Sequence, residues 1–209
     1  MEALAARVAL HRPLPPEEAA RADFYALLAR LFHAAPDDRL LAQIAAATPI
    51  PDDGDPALAR TWRDLVAASS AMDGDAAAEE YEALFAGVGK ARVSIYAGFH
   101  AGAMAIDHPR VRLQAELARL GLARREDATE PEDHFALLFD MMRVVVAGGA
   151  GRSSAILEDQ KRIFDEHLRP GVRKFVAALE RAAQANYYRR VAAFAAAFLA
   201  LEIESFELD

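Results

Sequence analysis

The segment Glu130-Pro131-Glu132-Asp133-His134 concentrates more chemistry than any other stretch of this chain. A carboxylate followed directly by an imidazole supports two kinds of work. It can move a proton, with His134 as a general base oriented by a carboxylate. It can also anchor a cation, because carboxylates take a guanidinium bidentately. A third reading needs no function: a hydrogen-bonded core histidine beside a helix-start carboxylate. Glu126, Asp127, Glu130 and Glu132 lead into the pair as an acidic rim. Downstream, Phe135, Leu138, Phe139, Met142, Val145 and Val146 form one helical stripe, and Leu137, Met141 and Val144 a second. A helix that is apolar on nearly all sides is central in a bundle or shared with a ligand groove. An acidic rim beside such a helix suits an occupant with guanidinium groups followed by an apolar helical stretch.

Other chemistries lack their residues. Cysteine is absent, which removes disulfides, thiolate nucleophiles and cysteine-ligated zinc or iron–sulfur clusters. The six histidines, at 11, 33, 100, 108, 134 and 167, show no metal-ligand spacing. No nucleophile elbow or phosphate-binding loop occurs, and Gly148-Gly149-Ala150-Gly151 follows a helix rather than a strand. No catalytic residue, metal or cofactor is expected. The net charge of −8 disfavours nucleic acid and anionic lipid and suits a cationic partner.

The elements that must position Asp133 and His134 read as helices. Hydrophobic residues make up 54% of 209, much of it alanine, and aromatics only 8%, a composition that favours helix over sheet. Residues 1–15, closed by Pro13, Pro15 and Pro16, read as a flexible N-terminal leader; 16–209 read as one all-α domain. Phe24, Leu27, Leu28 and Leu31 mark a first helix over about Glu17–Ala35. Short helices follow through Leu40, Leu41 and Ile44, through Leu58, Trp62 and Leu65, and through Tyr81, Leu84 and Phe85. The glycine-rich stretch from Gly87 to about Ala105 reads as a partly buried loop with short helical turns. Pro109 opens a helix through Val111, Leu113, Leu117 and Leu120, stopped at Gly121. The Thr129–Glu132 spacing predicts a capping box with Pro131 in the first turn, which would set His134 about one turn inside the motif helix. Three last helices are expected over roughly Ser154–His167, Pro170–Ala183 and Asn186–Ile203. The expectation is an all-α, single-domain bundle of about ten helices. No run reaches the length needed to span a bilayer, and the N-terminus lacks a secretory pattern, so a cytoplasmic location is expected.

E-P-x-D-H ahead of a Phe/Leu/Met helix resembles the signature of the TorD/DmsD/NarJ family of redox-enzyme maturation chaperones. Further blocks fall in that family's order over roughly residues 17–205. Arg21 to Phe32 resembles its opening helix. Glu80-Tyr81 through Gly87, with Ser94-Ile95-Tyr96, resembles its E-Y-x-x-L-F-x-G and S-x-Y blocks. His167-Leu168-Arg169-Pro170 with Phe175 resembles H-x-x-P-W-x-x-x-F. The chain departs from the pattern at Ala91-Arg92-Val93, at Leu138 and at Gly171, where a Pro-Tyr-Glu, a glutamate and a tryptophan are usual.

The resemblance implies a TorD-like fold and a cytoplasmic chaperone, not an enzyme. Such a chaperone binds the twin-arginine signal peptide, or a signal-like peptide, of a molybdopterin oxidoreductase catalytic subunit and assists cofactor insertion before export or assembly. The residues carried over for peptide binding are Asp133 and His134 as polar anchors, Pro131 at the helix entry, Tyr96 as a groove wall, and Glu130 and Glu132 as negative potential for the arginines. Family members can exchange helices between protomers, and hinge-like loops around 122–131 and 148–152 would permit a homodimer of that kind here. Two alternatives differ in class: an all-α enzyme using a His134/Asp133 acid–base pair, and an oligomeric scaffold with a fully packed motif helix.

Overall fold

The computed structural model describes residues 14–51, 54–86, 91–102, 109–121, 131–148 and 154–208. Most of the expected leader, Glu130 and most of both expected hinges lie outside the described residues. Within them the chain forms α1 (Pro16–His33), α2 (Asp38–Ala45), α3 (Pro56–Ala71), α4 (Gly74–Tyr81), α5 (Ala97–Ala101), α6 (Pro109–Arg119), α7 (Phe135–Ala147), α8 (Leu157–Ile163), α9 (Arg169–Arg181) and α10 (Tyr187–Leu208). A π-helical turn, Glu82–Ala86, extends α4. No strand occurs among these residues; a single antiparallel bridge joins Tyr96 and His134. The fold is the all-α bundle that composition and periodicity predict.

Short-range chemistry sets the first four helix starts. Asp37, Asp55 and Asp73 accept the backbone N–H of Leu40, Leu58 and Ala76 at 2.8, 2.6 and 2.8 Å, each satisfying a donor that the first turn leaves over. Pro16 and Pro56 sit in first turns, where a missing N–H costs nothing.

The α10 start is capped from a distance. The carboxylate of Glu80 accepts the backbone N–H groups of Asn186, Tyr187 and Tyr188 at 2.8, 3.0 and 2.8 Å. Its neighbour Tyr81 donates its hydroxyl to the carbonyls of Phe32 and His33 at the end of α1, at 3.1 and 3.0 Å. Tyr188 adds a second phenol there, 2.8 Å from the Leu31 carbonyl. The Glu80-Tyr81 dipeptide therefore ties the N-terminus of α10 to the C-terminus of α1.

The core lies where α7 runs along α1, with α10 packed on α3 and α9 and α5 on α9. Phe32 stacks on Phe139 with ring centroids 5.8 Å apart, and Phe135 on Phe175 at 4.3 Å. Phe24, Trp62 and Phe194 form a second aromatic cluster. A buried ion pair crosses the bundle: Glu202 of α10 accepts from Arg21 Nε at 2.7 Å and from the Tyr25 hydroxyl at 2.7 Å. Burial beside that carboxylate pushes the Tyr25 phenol well up.

Three local expectations change. The helices expected on either side of Pro170 are one rod, because α8 continues through a π-helical turn, Phe164–Leu168, straight into α9. Proline lacks the N–H of a regular turn and its ring presses on the turn before it, and a widened turn absorbs both. Second, α7 starts at Phe135, later than the capping-box spacing predicts, because the residues before it serve other elements. Third, Val111 of the expected apolar stripe is 61% exposed, and of that stripe only Leu113 is fully buried.

Glu80 gives a direct test. Replacing it with alanine leaves three helix-start donors without their acceptor and is expected to lower stability by about 1–2 kcal/mol. Urea unfolding followed by the fluorescence of Trp62 measures it, and the exposed neighbour Glu79→Ala should stay within about 0.5 kcal/mol of wild type.

Candidate functional site

The site forms where the loop ahead of α5 meets the turn ahead of α7. Ala97 N–H donates to the Asp133 carbonyl at 2.8 Å and Phe135 N–H to the Ile95 carbonyl at 3.0 Å. Val93 and Ile95 are buried and anchor the loop, and Val93 N–H donates to the Leu84 carbonyl at 3.0 Å. Of the departing Ala91-Arg92-Val93, Val93 thus supplies an apolar plug while Arg92 is exposed. This pairing sets the Tyr96 ring edge-on to His134, centroids 5.5 Å apart and planes at 86°.

Pro131 and His134 close the turn, with His134 N–H donating to the Pro131 carbonyl at 3.1 Å. His134 is the N-cap of α7 rather than a residue one turn inside it: its Nδ1 accepts the Ala136 N–H at 3.1 Å. In a neutral ring this puts the proton on Nε2. α7 therefore does not start at the capping-box spacing; Glu132 Oε1 accepts from Gln114 Nε2 of α6 at 2.9 Å. Thr129, the other half of the box, lies outside the described residues.

Asp133 is buried and turned away from its neighbour's ring. Its Oδ1 accepts from Arg110 Nε of α6 at 2.8 Å, and its Oδ2 faces the Gly98 N–H of α5 at 3.4 Å. A Cβ on Gly98 would sit 3.0 Å from that oxygen, so glycine permits the approach. One residue therefore ties α5, α6 and α7 together. Asp133 and His134 do not form an acid–base dyad, because the carboxylate points at α5 and α6 while Nδ1 is engaged with the helix start.

α5 is held against α9 by an equally close contact. A Cβ on Gly171 would lie 2.9 Å from the Ala97 carbonyl oxygen and 3.3 Å from the Phe135 ring. The His100 ring packs on Phe175 and bonds the Ser94 carbonyl through Nε2 at 2.7 Å, and burial pushes its pKa down.

A groove of about 610 Å³ opens between α1 and α7 at the first turns of the motif helix. Ala26, Ala29, Ala136 and Leu137 line it, with Asp37 and Asp140 as carboxylates and Arg30 and His33 as basic side chains. It begins at Ala136, the residue whose N–H His134 caps. Asp133 is not part of its wall. Of the sequence-predicted residues, Tyr96, Pro131, Glu132, Asp133 and His134 come together, and Glu130 lies outside the described residues. Arg110, Gln114 and Gly98 join them unforeseen, because an exposed helical arginine or a loop glycine carries no signal of its distant partner. Among the described residues, no group of three or more His, Asp or Glu side chains could hold a metal ion. No described helix is long and apolar enough to cross a membrane.

A polar hub holds the far end of α6. Glu116 is buried and accepts from Arg162 at 2.7 and 2.8 Å and from Arg119 at 3.0 Å. The hydrogen bond from Arg162 comes first and that from Arg119 adds to it; together they bring the Glu116 carboxyl down to about 2. A depressed carboxyl contributes stability that is complete above its unfolded value and lost as pH falls through its folded one. Its contribution, about 1–2 kcal/mol once solvent screening of the half-exposed guanidiniums is allowed for, should therefore disappear between about pH 4.5 and about 2. Urea unfolding at a series of pH values should show this loss in wild type and a shallower acid slope in Glu116→Gln.

The sequence profile of the nitrate reductase delta subunit family matches residues 51–177, which run from just before α3 into α9 and include the Tyr96 loop and the Asp133–His134 turn, but not the α1 wall of the groove. A relative is the chaperone protein TorD of Ferrimonas balearica, 32% identical over 101 residues, covering 48% of this chain and 45% of that protein. The matched stretch thus spans less than half of that relative's length. With the profile covering more than half of the chain, the chain belongs to the nitrate reductase delta subunit family, which is also the TorD/NarJ family.

Proposed function

We propose that this chain is a cytoplasmic maturation chaperone that binds the N-terminal signal or signal-like peptide of a molybdopterin oxidoreductase catalytic subunit and holds it until the cofactor is in place. The observation that carries the reading is the pinned turn: a buried carboxylate and a cap histidine, set against Tyr96, immediately before Ala136, where an alanine-floored groove begins. A peptide with arginines followed by an apolar helix has matching chemistry. Its guanidinium pairs with Asp133, and small alanine side chains in the groove let a helix backbone come close. His134 and Tyr96 wall the junction between the two, while Pro131 fixes the turn. Glu132, and Glu130 beyond the described residues, add negative potential. Family membership supports the client class, and the relative named a chaperone supports the activity. Dimers by helix exchange are part of the proposal, with the hinges around 122–131 and 148–152.

Titration of a peptide spanning the N-terminal segment of a molybdopterin oxidoreductase subunit tests the site. Asp133→Asn is expected to weaken binding by about ten- to a hundredfold, the loss of a buried charge-assisted pair. Ala26→Phe, which fills the groove from the half-buried side of α1, should weaken it without touching the turn. Binding equal to wild type in both variants, each shown folded by Trp62 fluorescence, would remove the site from the account.

A further inference from the structure

The carboxylate offered to a partner's arginine already holds one. The Asp133 side chain is 10% exposed, and the group covering Oδ1 is the guanidinium of Arg110, itself 52% exposed at the start of α6. An incoming guanidinium cannot reach Oδ1 while Arg110 stays.

The rest of α6 has the composition of the expected ligand. It reads Arg110-Val111-Arg112-Leu113-Gln114-Ala115-Glu116-Leu117, then Arg119 and Leu120. Two near-adjacent arginines thus precede leucines at helical spacing. In a chain of net charge −8 this helix carries three arginines and one carboxylate. Its apolar hold is thin: Leu113 is 3% exposed, Leu117 and Leu120 are only partly buried, and Val111 is 61% exposed. Among the described residues its further bonds are polar and include Gln114 on Glu132, Glu116 on Arg162 and Arg119 on Asp159. Both ends of α6 are therefore held by ion pairs whose guanidiniums reach solvent, and such pairs exchange partners at low cost.

We infer that α6 is an internal pseudo-ligand: Arg110 occupies Asp133 in the free protein, and an arginine-bearing peptide binds by replacing it and releasing α6 from the motif turn. The inference rests on the reading of Asp133 as an arginine anchor and adds a competitor to it. The free protein keeps its buried carboxylate neutralised, and only a segment that supplies a guanidinium can displace the cover.

Fluorescence anisotropy tests this with a labelled synthetic peptide of two adjacent arginines and an apolar helical stretch of about a dozen residues, beside a twin with both arginines replaced by glutamine. Arg110→Ala is expected to bind the arginine peptide about two- to fivefold more tightly than wild type, by removing a competing, half-exposed ion pair. Glu116→Gln frees the other end of α6 without altering Asp133, and should shift affinity in the same direction. Hydrogen exchange should show the α6 amides losing protection when the peptide binds while those of α7 gain it. If the arginine peptide outcompetes its twin on wild type yet both variants bind it no tighter, or α6 gains protection, the pseudo-ligand role is wrong and the arginine anchor stands. If wild type binds neither peptide, or both equally, the anchor itself is wrong and the pseudo-ligand falls with it.

Discussion

Helix ends are the constraint on which this bundle depends. Each α-helix leaves backbone donors at its start and acceptors at its end that its own turns cannot satisfy, and burying them unpaired is costly. An alanine-rich chain offers little aliphatic bulk to offset such losses. The fold meets the constraint with polar side chains sent from other elements. Glu80 serves the start of α10, Tyr81 and Tyr188 serve the end of α1, and Asp133 serves the start of α5. These contacts join segments far apart in sequence, so they fix the arrangement of the helices as well as satisfying them.

Asp133 shows how the same solution makes a site. Its backbone and one carboxylate oxygen are committed to α5, and the other oxygen takes a guanidinium. A buried carboxylate must be paired, and a pair whose cation reaches solvent is one that a ligand can take over. The structural role keeps the carboxylate in place, and the exposed guanidinium is what the proposed ligand would replace. His134 adds rigidity by capping α7, so the turn, the cap and the groove floor at Ala136 form one continuous unit.

Much of the fold was legible in the chain because its signals are local. The Phe24–Leu31 stripe and the glycine stop at Gly121 each act within one or two turns, and each places an element correctly. The misreadings arise where a local signal competes with a distant partner. Thr129 and Glu132 have capping-box spacing, but Glu132 is drawn to Gln114 and His134 takes the cap. Pro170 reads as a break, but a π-helical turn carries the rod past it. Motif resemblance brought out Tyr96, Asp133 and His134, which the structure brings together, while Arg110 was unreadable because nothing in an exposed helical arginine names its partner. Gly171, a departure from the family pattern, is explained only by the backbone of α5 lying against it.

The central claim, that this chain receives the N-terminal segment of a molybdenum-containing oxidoreductase subunit, is tested most directly by capture from the source cytoplasm with the tagged full chain, followed by mass spectrometry. The account expects a molybdoenzyme catalytic subunit to co-purify and to be lost when its N-terminal segment is deleted. Capture that survives the deletion, or no such subunit recovered from cells that express one, would contradict it.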